Sequence, residues 1–101
     1  MVELKSRRNG LLKELLLTLP SEDSWDEMLA QVEAVLDEAK VKASAHGAQL
    51  TLDMGVRAVA LEPLSDLIER LRADYSLLTV AIVATDLLTQ ESARRLGLNV
   101  Y

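Results

Sequence analysis

Lys5, Arg7 and Arg8 stand close together near the start of the chain, with Lys13 a little further on and only Glu3 to oppose them, so residues 1–13 carry +3. Side chains of these types donate charge-assisted hydrogen bonds to carboxylates and speed the approach of an acidic partner. They supply no nucleophile. Residues that could are scarce, since the chain has no Cys and one histidine, His46. Disulfide scaffolds, zinc–thiolate sites and cysteine nucleophiles are excluded, and histidine clusters cannot form. Nothing near His46 in sequence makes it a base. Beside Gly47 at an expected helix end, it meets last-turn carbonyls or solvent. No catalytic residue, cofactor-binding residue or metal ligand is expected, and the chain reads as a non-enzymatic module.

The remaining charge is unevenly spread. Residues 14–38 hold eight carboxylates and no base, while residues 39–101 balance seven against seven, giving a net charge of −5. Most of the eight fall opposite an apolar helical stripe, which makes them a solvated face rather than a cation site. Asp53-Met54-Gly55 follows a strand where α/β proteins place ligands, yet lacks the glycines or lysine that cradle phosphate. Arg94-Arg95 precedes Gly97 in the last turn of a helix, where positive charge is favourable whatever the function. An acidic balance, with Trp25, Tyr75 and Tyr101 as the only aromatics, argues against a nucleic-acid partner. Lys5, Ser6, Arg7 and Arg8 are left as the candidate partner-binding residues, balanced against the ordinary use of edge cations to block aggregation.

These four sit on the first of two apposed strands. Val2-Glu3-Leu4-Lys5-Ser6 alternates apolar and polar residues, and Asn9-Gly10 is the pair that takes positive φ in a tight hairpin. The returning strand is expected over residues 11–19, with Pro20 stopping it, although Leu-Leu-Lys-Glu-Leu-Leu fits a helical turn equally well. Ser24-Trp25-Asp26-Glu27 is a capping box, followed by Trp25, Met28, Leu29, Val32, Val35, Leu36 and Ala39 on one helical stripe, with Gly47 the latest stop. A strand over residues 49–53, a helix over 63–73, a strand over 77–84, a helix opened by Thr85 or Asp86 and running to Leu96, and a strand over 98–101 complete the order. The run over 77–84 is almost uniformly apolar and is expected to be the central strand, covered on both faces.

The pattern ββαβαβαβ predicts one small α/β domain spanning residues 1–101, with a mixed five-stranded sheet and right-handed crossovers. No apolar run is long enough to span a bilayer, and charged residues stand where a signal peptide needs its apolar core, so a cytoplasmic protein without direct membrane insertion is expected. An unpaired first-strand edge can stay single, pair as a homodimer with a second copy, or exchange strands with it.

The opening Val2-Glu3-Leu4-Lys5, the turn with Gly10, the segment ending Leu17-Thr18-Leu19-Pro20, the Ser24-Trp25-Asp26-Glu27 helix start and the closing Arg94-Arg95-Leu96-Gly97-Leu98 resemble, in order and spacing, the N-terminal domain of the septum-site-determining MinC family. The resemblance covers essentially the whole chain. It implies a bacterial division inhibitor that binds FtsZ and prevents assembly of the septal ring, without catalysis or cofactor. In that family a C-terminal β-helical domain dimerises and binds MinD; the chain ends at Tyr101, so MinD is expected only through a domain absent from it. The family's first-strand motif falls on Glu3, Leu4, Lys5 and Ser6, where Ser6 replaces a frequent glycine, and the stretch between Gly10 and Pro20 is a few residues longer than usual. The chain also resembles STAS (anti-sigma-antagonist) domains around Leu50-Thr51-Leu52-Asp53-Met54-Gly55. It reads Leu61-Glu62-Pro63-Leu64 where those domains carry a phosphorylatable hydroxyl, so the phosphoryl switch cannot operate there.

Overall fold

The structure, a computed structural model, describes residues 2–9, 12–39 and 48–101. Strands β1 (Glu3–Asn9) and β2 (Leu12–Thr18) pair antiparallel in unbroken register, from Glu3 opposite Thr18 to Asn9 opposite Leu12. The hairpin tip at Gly10 and Leu11 lies outside the described residues. The ambiguous leucine-rich stretch is strand. Leu15, Leu17 and Leu19 are buried while Leu16 and Thr18 between them are partly exposed, the period of two that pairing on both sides imposes. Two ladders outweigh the helical preference of Leu, Lys and Glu.

Helix α1 (Trp25–Glu38) starts where the capping box places it, with the Glu27 amide donating to Ser24 Oγ at 3.2 Å. Met28, Val32 and Leu36 are buried, while Asp26, Glu27, Glu33, Asp37 and Glu38 are exposed, so the acidic run is the solvated face expected of it. Ala39 closes the helix; Lys40, Lys42, His46 and Gly47, and with them the expected helix end, lie outside the described residues. Strand β3 (Gln49–Gly55) then leads to α2 (Leu61–Tyr75), β4 (Leu78–Ala84), α3 (Leu87–Arg95) and β5 (Asn99–Val100). Helix α2 is longer at both ends than the spacing predicts, with Pro63 in its first turn and Tyr75 added to the buried row of Leu64, Leu67 and Leu71. Asp86 caps α3 by accepting from the Leu88 and Thr89 amides, and Gly97, at φ +76°, ends it in the left-handed region.

The strands lie in the order β1-β2-β3-β4-β5, with every pair after the first parallel. Each crossover therefore steps one strand in the same direction, and right-handed connections then stack all three helices on one face. The smallest dimension, 20 Å, is that of a two-layer arrangement. The expectation for the 77–84 run fails on both counts: β3 is the central strand, and β4 is covered on one face only. On β4, Ile82 and Ala84 point into the core, while Val80 and Val83 are partly exposed. β-branched residues suit a pleated surface even when it is half covered, so an apolar run does not report cover on both sides.

Candidate protein-binding face

The face away from the helices holds the sequence-predicted cations. Directly paired residues share a face, so the register places Glu3 and Thr18, Lys5 and Leu16, Arg7 and Glu14 side by side on it. It continues through Thr51 and Asp53 on β3, Ala81 and Val83 on β4 and Asn99 on β5. The helix side of the same strands carries Leu15, Leu17, Leu50, Leu52, Met54 and Ile82, all in the core. Two concavities mark the open face. One of about 450 Å³ is bordered by Lys5, Ser6, Arg7, Glu14, Leu15, Leu16 and Thr51; another of about 480 Å³ by Gln49, Thr51, Val80, Asn99 and Tyr101. They meet at Glu14 and Thr51, which border both.

Strand alternation divides the predicted residues. Lys5 and Arg7 come together on the open face; Ser6 between them borders the same concavity, but it pairs with core-facing Leu15, so its side chain belongs to the other side of the sheet edge. Arg8 lies opposite Lys13 in the ladder, and its side chain falls outside the described residues. The +3 of the terminal segment is thus a property of the sequence rather than of one surface. Arg7 Nε also stands 3.7 Å from a Glu14 oxygen across the ladder, a pair exposed enough to contribute little to stability. Lys5 has no ion-pair partner among the described residues and is fully available to a partner's carboxylate.

Sequence reasoning missed the rest of this face. Glu14, Leu16, Thr51 and Asn99 come from three further strands, with Tyr101 just past the last, and they meet only through register, which sequence spacing does not encode. The signal present was the odd–even alternation of β3, whose Gln49, Thr51 and Asp53 are all partly exposed. Asp53 is committed locally, accepting from the Gly55 amide at 3.0 Å. The carboxylate at the strand end is thereby held by its own turn, and among the described residues no group of His, Cys, Asp and Glu is placed to hold a metal ion.

A second construction fixes the loops at the carboxyl end of the parallel strands. Arg57 donates through Nη2 to the carbonyls of Pro20 and Asp23, each at 2.5 Å, and its guanidinium lies 5.9 Å from the centre of the Trp25 ring. Thr89 Oγ1 donates to the Arg57 carbonyl at 2.6 Å and accepts from the Val59 amide at 2.8 Å, while Ser92 Oγ donates to the Val59 carbonyl at 3.0 Å. Most buried polar groups are paired in this way, and Arg57 Nε is an exception, buried without a hydrogen-bond partner among the described residues. Arg57 is therefore a strut, one that composition alone had left unremarked in a loop. Trp25, on the same stripe as buried Met28, Val32 and Leu36, is itself half-buried beneath this strut because it opens α1 at the rim of the helix layer.

Tyr75 donates to Asp37 Oδ1 at 3.1 Å, joining α2 to α1. Burial, followed by the Asp37 hydrogen bond and the charges of Asp37, Glu33 and Asp74, pushes its phenol up to about 12. Arg94 and Arg95 occupy the last turn of α3, as the dipole favours. No described helix is long and apolar enough to cross a membrane. Comparison of the chain with family models, curated proteins and solved structures gives no match.

Proposed function

We propose that the helix-free face docks an acidic protein surface through Lys5 and Arg7, and that the partner is FtsZ, as in the MinC N-terminal domains that the sequence resembles. The observation that carries this reading is the exposed pair of cations, two residues apart on a terminal strand, flanking a shallow concavity with Leu16 and Thr51 in its wall. Aliphatic surface bordered by exposed cations suits protein docking: the apolar part is desolvated and the charges set orientation and encounter rate. The action is steric and competitive. The bound domain occupies or weakens a contact between filament subunits, so the septal ring fails to assemble in the bacterial cytoplasm, and no bond is made or broken.

The STAS-like alternative has a weaker footing. The backbone at the start of α2 is capped by Ala60 with no side-chain hydrogen bond, and Leu61-Glu62-Pro63-Leu64 offers no hydroxyl to receive a phosphoryl group.

Co-sedimentation with polymerised FtsZ at low and moderate salt tests the proposal. Saturable binding, weakened by salt and accompanied by loss of polymer, is the expected result. Lys5→Glu together with Arg7→Glu is expected to weaken binding at least tenfold while leaving the circular dichroism spectrum unchanged. Unaltered binding by that variant would refute the contact; no binding by the folded wild type at tens of micromolar would refute the partner.

A further inference from the structure

The two edges of the sheet differ. β5 has two residues and offers almost no ladder, whereas β1 has seven, with no proline and no bulge along its pairing with β2. Proline, bulges, short length and edge cations are the usual means of blunting an edge, and β1 has only the last of these. The direction of the free groups follows from the neighbouring strands. The Leu19 amide donates to the Asp53 carbonyl, so odd residues of β2 point their backbone at β3 and even ones at β1. Through the β1–β2 register, Glu3, Lys5 and Arg7 then bond to β2, leaving the amides and carbonyls of Leu4 and Ser6 directed outward. The Val2 amide is the exception at that edge, being held by Gln31 Oε1 at 3.1 Å.

We infer that this edge pairs antiparallel with β1 of a second copy, with Leu4 opposite Leu4 on the two-fold axis. The charges select that register. A two-fold axis normal to the sheet keeps the faces continuous only if paired residues have the same parity. Centring on Lys5 sets Lys5 against Lys5 on the axis, and its flanking Glu3–Arg7 pairs would have to draw Arg7 away from Glu14 across the ladder; centring on Ser6 sets Lys5 against Arg7, twice. Both place like charges directly opposite one another, which is destabilising. Centring on Leu4 sets Glu3 against Lys5 of the other copy, twice, and these are the narrow, non-hydrogen-bonded pairs in which side chains approach most closely.

The same register uses the free backbone. Leu4 bonds reciprocally to Leu4, and each Ser6 amide reaches the Val2 carbonyl opposite, while the Val2 amide keeps its Gln31 partner. Leu4 already packs partly against the core, so the two copies bring apolar surface together on the helix side. Glu3 and Lys5 have no ion-pair partner among the described residues, and both are exposed. The result is one continuous sheet with all helices on the same side and both open faces still accessible. An interface this small makes a weak dimer, populated at high concentration.

Sedimentation equilibrium from about 1 µM to about 1 mM, without FtsZ, tests the inference. The wild type should associate to a dimer; Glu3→Lys or Lys5→Glu alone should raise the dissociation constant at least tenfold, and the two together should restore it to within about threefold. Hydrogen exchange supplies a second reading. The Leu4 and Ser6 amides should become protected as concentration rises, while those of Lys5 and Arg7, bonded to β2, stay protected throughout. A monomer over the whole range would overturn the proposal and leave the edge to a strand from another protein. A dimer indifferent to single charge reversals would also overturn it, pointing instead to exchanged strands.

Discussion

The two faces of this sheet are made from alternate residues of the same strands, yet they obey different rules. On β3, Leu50, Leu52 and Met54 are wholly buried beneath the helices, while their neighbours Gln49, Thr51 and Asp53 remain partly wet. The covered face is aliphatic and held by packing; the open face mixes Lys5, Arg7, Glu14, Leu16 and Thr51 and is held only by the ladders beneath it. Stability and the proposed recognition surface are therefore separable by residue parity. Substitutions one position apart in sequence should have very different consequences.

The sharpest test of that separation pairs Leu52→Ala with Leu16→Ala. Losing the fully buried Leu52 side chain should cost about 3–4 kcal/mol, whereas partly exposed Leu16 should cost about 1 kcal/mol or less, both measured by urea unfolding with unchanged denaturant slope. Equal losses would mean that the open face is packed too. Next in size is Trp25→Ala. The half-buried indole, lying beside Arg57 at the rim, should be worth about 2 kcal/mol, below the range for a fully enclosed ring, with circular dichroism as the probe because the fluorophore is removed. The smallest effect is confined to alkaline pH. The folded Tyr75 phenol titrates at about 12, above its ordinary value, so the unfolded chain loses that proton first as pH rises. The contribution is intact below about pH 10 and lost progressively as pH approaches 12, and Tyr75→Phe should flatten that part of the stability profile.

Much of the covered face was legible because its determinants are local. The Ser24 cap, the Met28-Val32-Leu36 row, Asp86 before α3 and Gly97 after it each declare themselves within a few residues. The β2 stretch was not, because Leu12 to Leu16 suits either element and only its pairing with β1 and β3 decides. Strand order was misjudged at β4 for a related reason: apolar content records that a residue is sheltered, not by how many layers. The candidate site was half legible. Its cations stood out as a charge imbalance, but alternation sent Lys5 and Arg7 one way and Ser6 the other, and the residues that complete the face arrive from strands distant in sequence. Arg57 was invisible for the opposite reason, since its partners are backbone carbonyls, which no sequence pattern records.

The strand order also has a consequence in time. Because the sheet reads β1-β2-β3-β4-β5 in space as in sequence, no strand has to be inserted between two that are already paired. A chain leaving the ribosome can lay each strand against the one just made, with the loop to be closed never longer than a single crossover. The growing edge is always the newest strand. β5, with two residues, offers the shortest template of the five.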